Sequence, residues 1–193
     1  MAFCASLANS LKSNKLRLAL TQFSGTSLGE IRQEFDFTNN YTYIADAIQY
    51  LKRGDCSTTC PGEIGLFTPF GYAMDSANAT FRYARPDVQK FLFFFSDGDP
   101  YPSGAYCQDN TCLRSRVIGL FNDYGVITSA IRIGSSGSES RMKTIMSYVP
   151  CFYFYIPGFS AQYLNPLVSS IKSITCLDTF TVIPSYGCMN ATS

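Results

Sequence analysis

Histidine is absent from this sequence of 193 residues. That excludes Ser-His-Asp and Cys-His catalysis, and every zinc site built on an imidazole. Charge is scarce as well. Charged residues make up 15% of the chain, and 15 basic side chains against 14 acidic ones leave a net charge of +1. A nucleic-acid binder with a broad basic surface is disfavoured. No apolar run approaches the ~20 residues that a membrane helix needs. The longest runs, Phe91–Phe95 and Cys151–Ile156, are of strand length, so no membrane insertion by this chain is expected. Residues 1–9 lack the positive start and the sustained apolar stretch of a secretory signal.

What is present points to a folded domain. Hydrophobic residues make up 46% of the chain, enough to bury a core without help from cross-links and too many for disorder. Eight cysteines are spread along it: Cys4, Cys56, Cys60, Cys107, Cys112, Cys151, Cys176 and Cys188. Cys56/Cys60 and Cys107/Cys112 are close pairs in polar, turn-rich stretches. Small disulfide loops suit them better than metal sites, because neither a histidine nor a second close pair joins them at finger spacing. The alternative is eight free thiols in a reducing compartment; the even count and loop placement favour an oxidising, extracellular one. N-x-T sequons at Asn40, Asn78 and Asn190 add little, since composition alone supplies such matches.

Periodicity gives the organisation. Phe3, Leu7 and Leu11 mark a helix over 2–13, and 16–23 reads as a strand. Over 31–37 the alternation puts Ile31, Phe35 and Phe37 on one face of an edge strand, paired antiparallel with the strand before it. Ile44, Ala47, Ile48 and Leu51 mark a second helix, ended by Gly54. Thr68-Pro69 reads as N-cap and first-turn proline of a third, which carries Ala73, Met74, Ala77 and Phe81. Phe91–Phe95 is apolar on both faces, as a buried parallel strand should be. Leu113, Val117, Leu120 and Phe121 mark a fourth helix, closed by Gly125. Val126–Ile133 is the next strand. Met142, Ile145 and Met146 mark a fifth helix, Phe152–Ile156 the last strand, and Leu164, Leu167, Val168 and Ile171 the last helix. Strands alternating with helices imply an α/β fold, a doubly wound and mainly parallel sheet with helices on both faces. The domain is expected over 1–176, with a tail over 177–193.

Ligands in such sheets bind at the carboxyl ends of the strands. Ser96-Asp97-Gly98 sits at one such end, and Thr68-Pro69-Phe70-Gly71-Tyr72-Ala73-Met74 opens a helix. Taken singly, these are equally a turn and a helix cap. Together, within this element order, they resemble the von Willebrand factor type A domain. That family closes a buried strand with T-D-G, here Ser96, Asp97 and Gly98. It opens a helix with T-x-x-G-x-A-L, here Thr68, Gly71, Ala73 and Met74. The resemblance covers about residues 2–176. It implies adhesion or protein binding through a divalent cation, Mg²⁺ or Mn²⁺, with Thr68 and Asp97 as ligands and a protein or extracellular-matrix partner.

One element of the family's pattern is not in the sequence. The D-x-S-x-S loop, which supplies the remaining metal oxygens, is absent, and so is the apolar strand that carries it. The resemblance places that strand in mid-sheet, between the strands 16–23 and 91–95. The expectation is therefore a fragment, or a start codon set too late, with an incomplete metal site. On the same frame Cys56–Cys60 and Cys107–Cys112 would flank the metal-bearing end. Cys151 and Cys176 would pair at the opposite end, and Cys4 and Cys188 have no evident partner.

Two readings from other classes stand beside adhesion. Asp97-Gly98-Asp99 has the look of the D-x-D motif of haloacid-dehalogenase-like phosphatases, with Asp97 as nucleophile and Asp99 as acid/base around Mg²⁺. Against it, the motif lies in mid-chain, Pro100 and Tyr101 follow it, and no later acidic pair follows a strand. Asp99 otherwise reads as a solvated turn residue. The other alternative is a structural interaction module that uses no metal. Phe152-Tyr153-Phe154-Tyr155 reads as a buried strand rather than a sugar platform. Gly134–Ser138 reads as a loop rather than a phosphate cradle, since it lacks the G-K-[ST] ending.

Overall fold

The computed structural model describes residues 2–13, 15–23, 31–52, 68–101, 106–146, 152–158 and 160–175. The elements run α1 (Ala2–Ser10), β1 (Leu18–Phe23), β2 (Ile31–Thr38), α2 (Tyr41–Lys52), α3 (Phe70–Phe81), β3 (Lys90–Ser96), α4 (Asn110–Tyr124), β4 (Val126–Ile133), α5 (Glu139–Met146), β5 (Tyr153–Ile156) and α6 (Ala161–Thr175). This is the order that periodicity implies. Gly54, Cys56, Cys60, Cys151, Cys176, Cys188, Asn190 and the tail lie outside the described residues, and so does the side chain of Cys4.

β3, β4 and β5 form a parallel sheet in that order. Lys90 pairs with Val126 and Ser96 with Arg132, without a slip between them. Alternate side chains enter two apolar layers, as the pleat requires. Phe94, Val126 and Ala130 pack with Phe70, Met74, Leu113, Val117, Leu120 and Met142 under α3, α4 and α5. Phe93, Phe95, Ile131, Ile133 and Ile156 pack with Leu11, Leu164, Leu167, Val168 and Ile171 near α1 and α6. The apolar character of Phe91–Phe95 on both faces thus has its cause in helices on both sides.

β1 and β2 form a separate antiparallel pair. No ladder joins β1 to β3 among the described residues, and the break falls where the resemblance places the strand bearing D-x-S-x-S. Side chains close over it: the Phe23 and Phe94 rings stack at 4.6 Å, and Phe23 meets Phe70 edge-on at 5.8 Å. At the other end, Arg85 Nη2 donates to the Lys15 carbonyl at 3.2 Å, tying the approach to β1 to the turn before β3. Both strands therefore start at one end of the molecule. Burial records the break. From Val126 to Ile131 every β4 residue is buried, whereas every β1 residue is only half-buried, as are Phe91, Leu92, Phe93 and Phe95 of β3.

Three expectations are corrected. Ile31 and Phe37 face the α3–α4 layer, but Phe35 packs with Ala8, Ile44 and Ile48 instead. Register shifts between Leu18 and Leu20 and between Leu20 and Thr21 turn it over, because a slip of one residue exchanges the faces. Thr68 is not the N-cap of α3. Pro69 holds that position, without a side-chain cap. Finally, β5 is not buried throughout. Tyr155 is 49% exposed, and the Arg132 guanidinium lies over its ring at 5.4 Å.

Ile131 is fully buried at the centre of the sheet. Ile131→Ala is expected to cost about 2–5 kcal/mol in denaturant unfolding, against less than about 0.5 kcal/mol for Tyr83→Ala on the surface.

Candidate functional site

Parallel pairing brings the ends of β3 and β4 to one edge, and the site residues collect there. At the end of β3, Ser96 is buried. Its Oγ accepts the Gly98 N–H at 3.2 Å and donates to the Gly98 carbonyl at 3.0 Å. This hydroxyl turn leaves Asp97 pointing outward, exposed. Beyond it, Asp99 does not lie free as the sequence suggests. It is half-buried, and its Oδ1 accepts the Ser138 N–H at 2.9 Å, binding the β3 loop to the loop after β4. Gly137 closes that contact in a left-handed conformation, φ 78°. A Cβ there would come within 3.0 Å of the Gly98 carbonyl carbon.

Thr68 reaches the same edge by main-chain pairing. Its N–H donates to the Tyr101 carbonyl at 3.1 Å, and Tyr101 N–H donates back to its carbonyl at 3.2 Å. Tyr101 belongs to the loop that starts at Asp97, so this bridge holds the Thr68 and Asp97 segments together. It also explains why Thr68 does not cap α3: its backbone is committed to Tyr101.

The residue that organises these segments, Gln108, had no sequence motif to announce it. Its side chain is buried, with the residue 2% exposed. Nε2 donates to the Thr68 carbonyl at 3.0 Å and to the Tyr101 carbonyl at 3.3 Å. Oε1 accepts the Gly71 N–H at 3.4 Å, in the first turn of α3. A buried amide so satisfied is rigid, because each bond it lost would leave a polar group stranded. Arg141 Nη2 donates to the Gln108 carbonyl at 2.7 Å, and Arg141 Nε to Asn110 Oδ1 at 2.9 Å. Cys107 and Cys112 form a disulfide with Cα atoms 5.2 Å apart, as their spacing suggests. Asp109, between them, caps α4 by accepting the Cys112 N–H at 2.8 Å.

The glycine of the T-x-x-G pattern gains a physical reason. A Cβ on Gly71 would meet the Tyr106 carbonyl oxygen at 2.4 Å and the Cys107 Cβ at 2.8 Å. Beside it, Tyr106 packs on Tyr72 at 4.8 Å and donates to Asp75 Oδ2 at 2.7 Å. That hydrogen bond raises the Tyr106 phenol above its ordinary pKa. Desolvation and the Asp75 charge act in the same direction, and Arg116 opposes them. Asp97, Tyr101 and Tyr106 are among the exposed groups around this hydrogen-bonded floor.

The donor set for a cation is small. Among the described residues, no three Cys, Asp or Glu side chains gather around a point where an ion would touch them all. Thr68 and Asp97 offer two side chains, and Mg²⁺ takes about six oxygens. Among the described residues, this donor set does not fit a tightly held ion.

The family model of the von Willebrand factor type A domain matches residues 1–168. The chain belongs to this family. Solved structures agree on the fold. Proximal thread matrix protein 1 from the mussel byssus superimposes with a TM-score of 0.66 at 18% identity, over 91% of this chain and 39% of that one. A further structure of it, at 19% identity, has a zinc-occupied MIDAS motif. The vWF domain of the type V pili tip protein Mfa5 from Porphyromonas gingivalis gives 0.60 at 11% identity, over 93% of this chain and 89% of that one. The pilus adhesin SpaC from Lactobacillus rhamnosus GG gives 0.62 at 13%, over 90% and 27%. The chain spans well under half the length of the byssus protein it matches. No curated protein sequence matches it.

Gly71→Ala is expected to destabilise the chain by about 1–3 kcal/mol, and to speed amide exchange at Thr68 and Tyr101 more than at Ile127, as read by hydrogen-exchange NMR.

Proposed function

We propose that this chain is an extracellular adhesion or protein-binding module that meets a protein or matrix ligand at the carboxyl end of its sheet. The observation that carries this reading is the bridge between the Thr68 and Asp97 segments, clamped by Gln108. It sets an exposed carboxylate and two exposed tyrosines on a rigid base. Rigid aromatic groups beside a charge are well suited to binding energy, since little conformational freedom is lost on contact. The adhesin and byssus proteins among the similar structures support the same reading.

Mg²⁺ or Mn²⁺ belongs to this proposal only for a domain completed by the oxygens of D-x-S-x-S. Without those oxygens, ligand recognition would rest on the protein surface alone, the alternative metal-independent mode. Thr68 and Asp97 would hold the ion in the completed site, and the ion's positive charge would attract a partner carboxylate there. Phosphatase chemistry fits less well. Asp99, its required acid/base, has an oxygen committed to the Ser138 N–H.

Binding to immobilised extracellular-matrix protein, measured by biolayer interferometry, is expected to fall about tenfold or more on Asp97→Lys. Asp123→Lys, at the other end of α4, is expected to leave it unchanged. Equal effects of the two variants would contradict the proposal. So would turnover of p-nitrophenyl phosphate that disappears on Asp97→Asn.

A further inference from the structure

We propose that the Cys107–Cys112 disulfide is a redox latch: opened by thiol–disulfide exchange, it frees Gln108 and loosens the end of the sheet that carries Thr68 and Asp97. The bond closes a short loop onto the first turn of α4. Inside the loop, Gln108 reaches outward to both site segments. Its neighbour Cys107 has φ 49°, the only non-glycine in the left-handed region among the described residues. A residue with a Cβ rarely stays there unless its surroundings hold it. Two things do so here. One is the covalent tie to Cys112. The other is the wall of α3, where Cys107 packs on Gly71 without room for even one more carbon. Opening the tie lets Cys107 return to an ordinary conformation. Rotation of that backbone swings the next side chain, Gln108, away from the Thr68 and Tyr101 carbonyls. Arg141 still holds the Gln108 carbonyl, so the loop stays attached and the change is local.

The chemistry requires a thiolate reductant. Cys112 is half-buried and Cys107 buried, so an incoming thiolate reaches Cys112 Sγ first. A bond forms between the two sulfurs, the Cys107–Cys112 bond breaks, and the electron pair leaves on Cys107 Sγ, which takes a proton from water. A second thiolate attacks the mixed disulfide at the reductant's sulfur and releases Cys112 as a thiolate. The protein gains two electrons, and two reductant thiols become one disulfide.

The effect on ligand binding rests on the function proposed above; the conformational step does not. The test therefore has two arms on the full chain. The first is amide hydrogen exchange in the Cys107→Ser/Cys112→Ser variant, which leaves the other cysteines untouched, and in Gln108→Ala, which keeps the bond. Both are expected to exchange about tenfold or more faster at Thr68, Gly71 and Tyr101, with Ile127 and Ile131 unchanged. Unchanged exchange at the three site amides in the double-serine variant would overturn the latch. Equal acceleration in β4 would also overturn it, by making the bond a staple of the whole fold. The second arm is matrix-protein binding before and after dithiothreitol. Weaker binding that returns on reoxidation supports control of the ligand surface. Binding that persists while site exchange rises removes that control. No binding in either state refutes the proposed function and leaves the first arm to decide the latch.

Discussion

The parallel register between β3 and β4 governs where everything else in the molecule can be. Lys90 stands beside Val126 and Ser96 beside Arg132. Parallel strands finish at the same edge, so the loops after Ser96 and Ile133 are neighbours by necessity. The pleat then sorts the intervening side chains into two layers, one roofed by α3, α4 and α5 and the other by α1 and α6. With both faces closed, the carboxyl edge is where irregular backbone gathers. That is the physical reason this architecture collects ligand groups there.

Position alone would leave that edge a set of independent loops. What joins them is a small polar network. Thr68 and Tyr101 exchange main-chain hydrogen bonds, Gln108 spans both and the first turn of α3, and Asp99 holds the loop after β4. The division of labour is clear from exposure. Gln108 is buried and structural, whereas Asp97, Tyr101 and Tyr106 face solvent. An edge fixed by its own hydrogen bonds can present a recognition surface without an ion to organise it.

Much of this was legible in the sequence, for identifiable reasons. Phe91–Phe95 reads as a doubly covered strand because both neighbouring layers demand apolar side chains. Gly125 reads as a helix end because the chain turns left-handed there, φ 68°. The Cys107/Cys112 spacing reads as a loop because the disulfide closes onto a helix start. The failures have equally local causes. Phe35 changes face because the ladder slips, and alternation counted along one strand cannot see its partner. Thr68 looks like a cap because caps are commonly threonine, yet its backbone was claimed by Tyr101, far along the chain. Asp99 looks like a solvated turn because its partner, the Ser138 amide, is equally distant. Gln108 is the plainest case. A glutamine in a polar loop carries no signal, and only the convergence of three segments makes it central.

The central claim is that the carboxyl edge, rather than another face, meets the ligand. Two exposed tyrosines allow a direct comparison: Tyr101 at that edge is 56% exposed, and Tyr83 at the far end of α3 is 79% exposed. Each would be replaced in turn by the photoreactive analogue benzoylphenylalanine and irradiated in the presence of extracellular-matrix proteins. The account predicts covalent adducts from position 101 and none above background from position 83, although 83 is the more accessible. Adducts from position 83 alone, or equal yields from both, would contradict it.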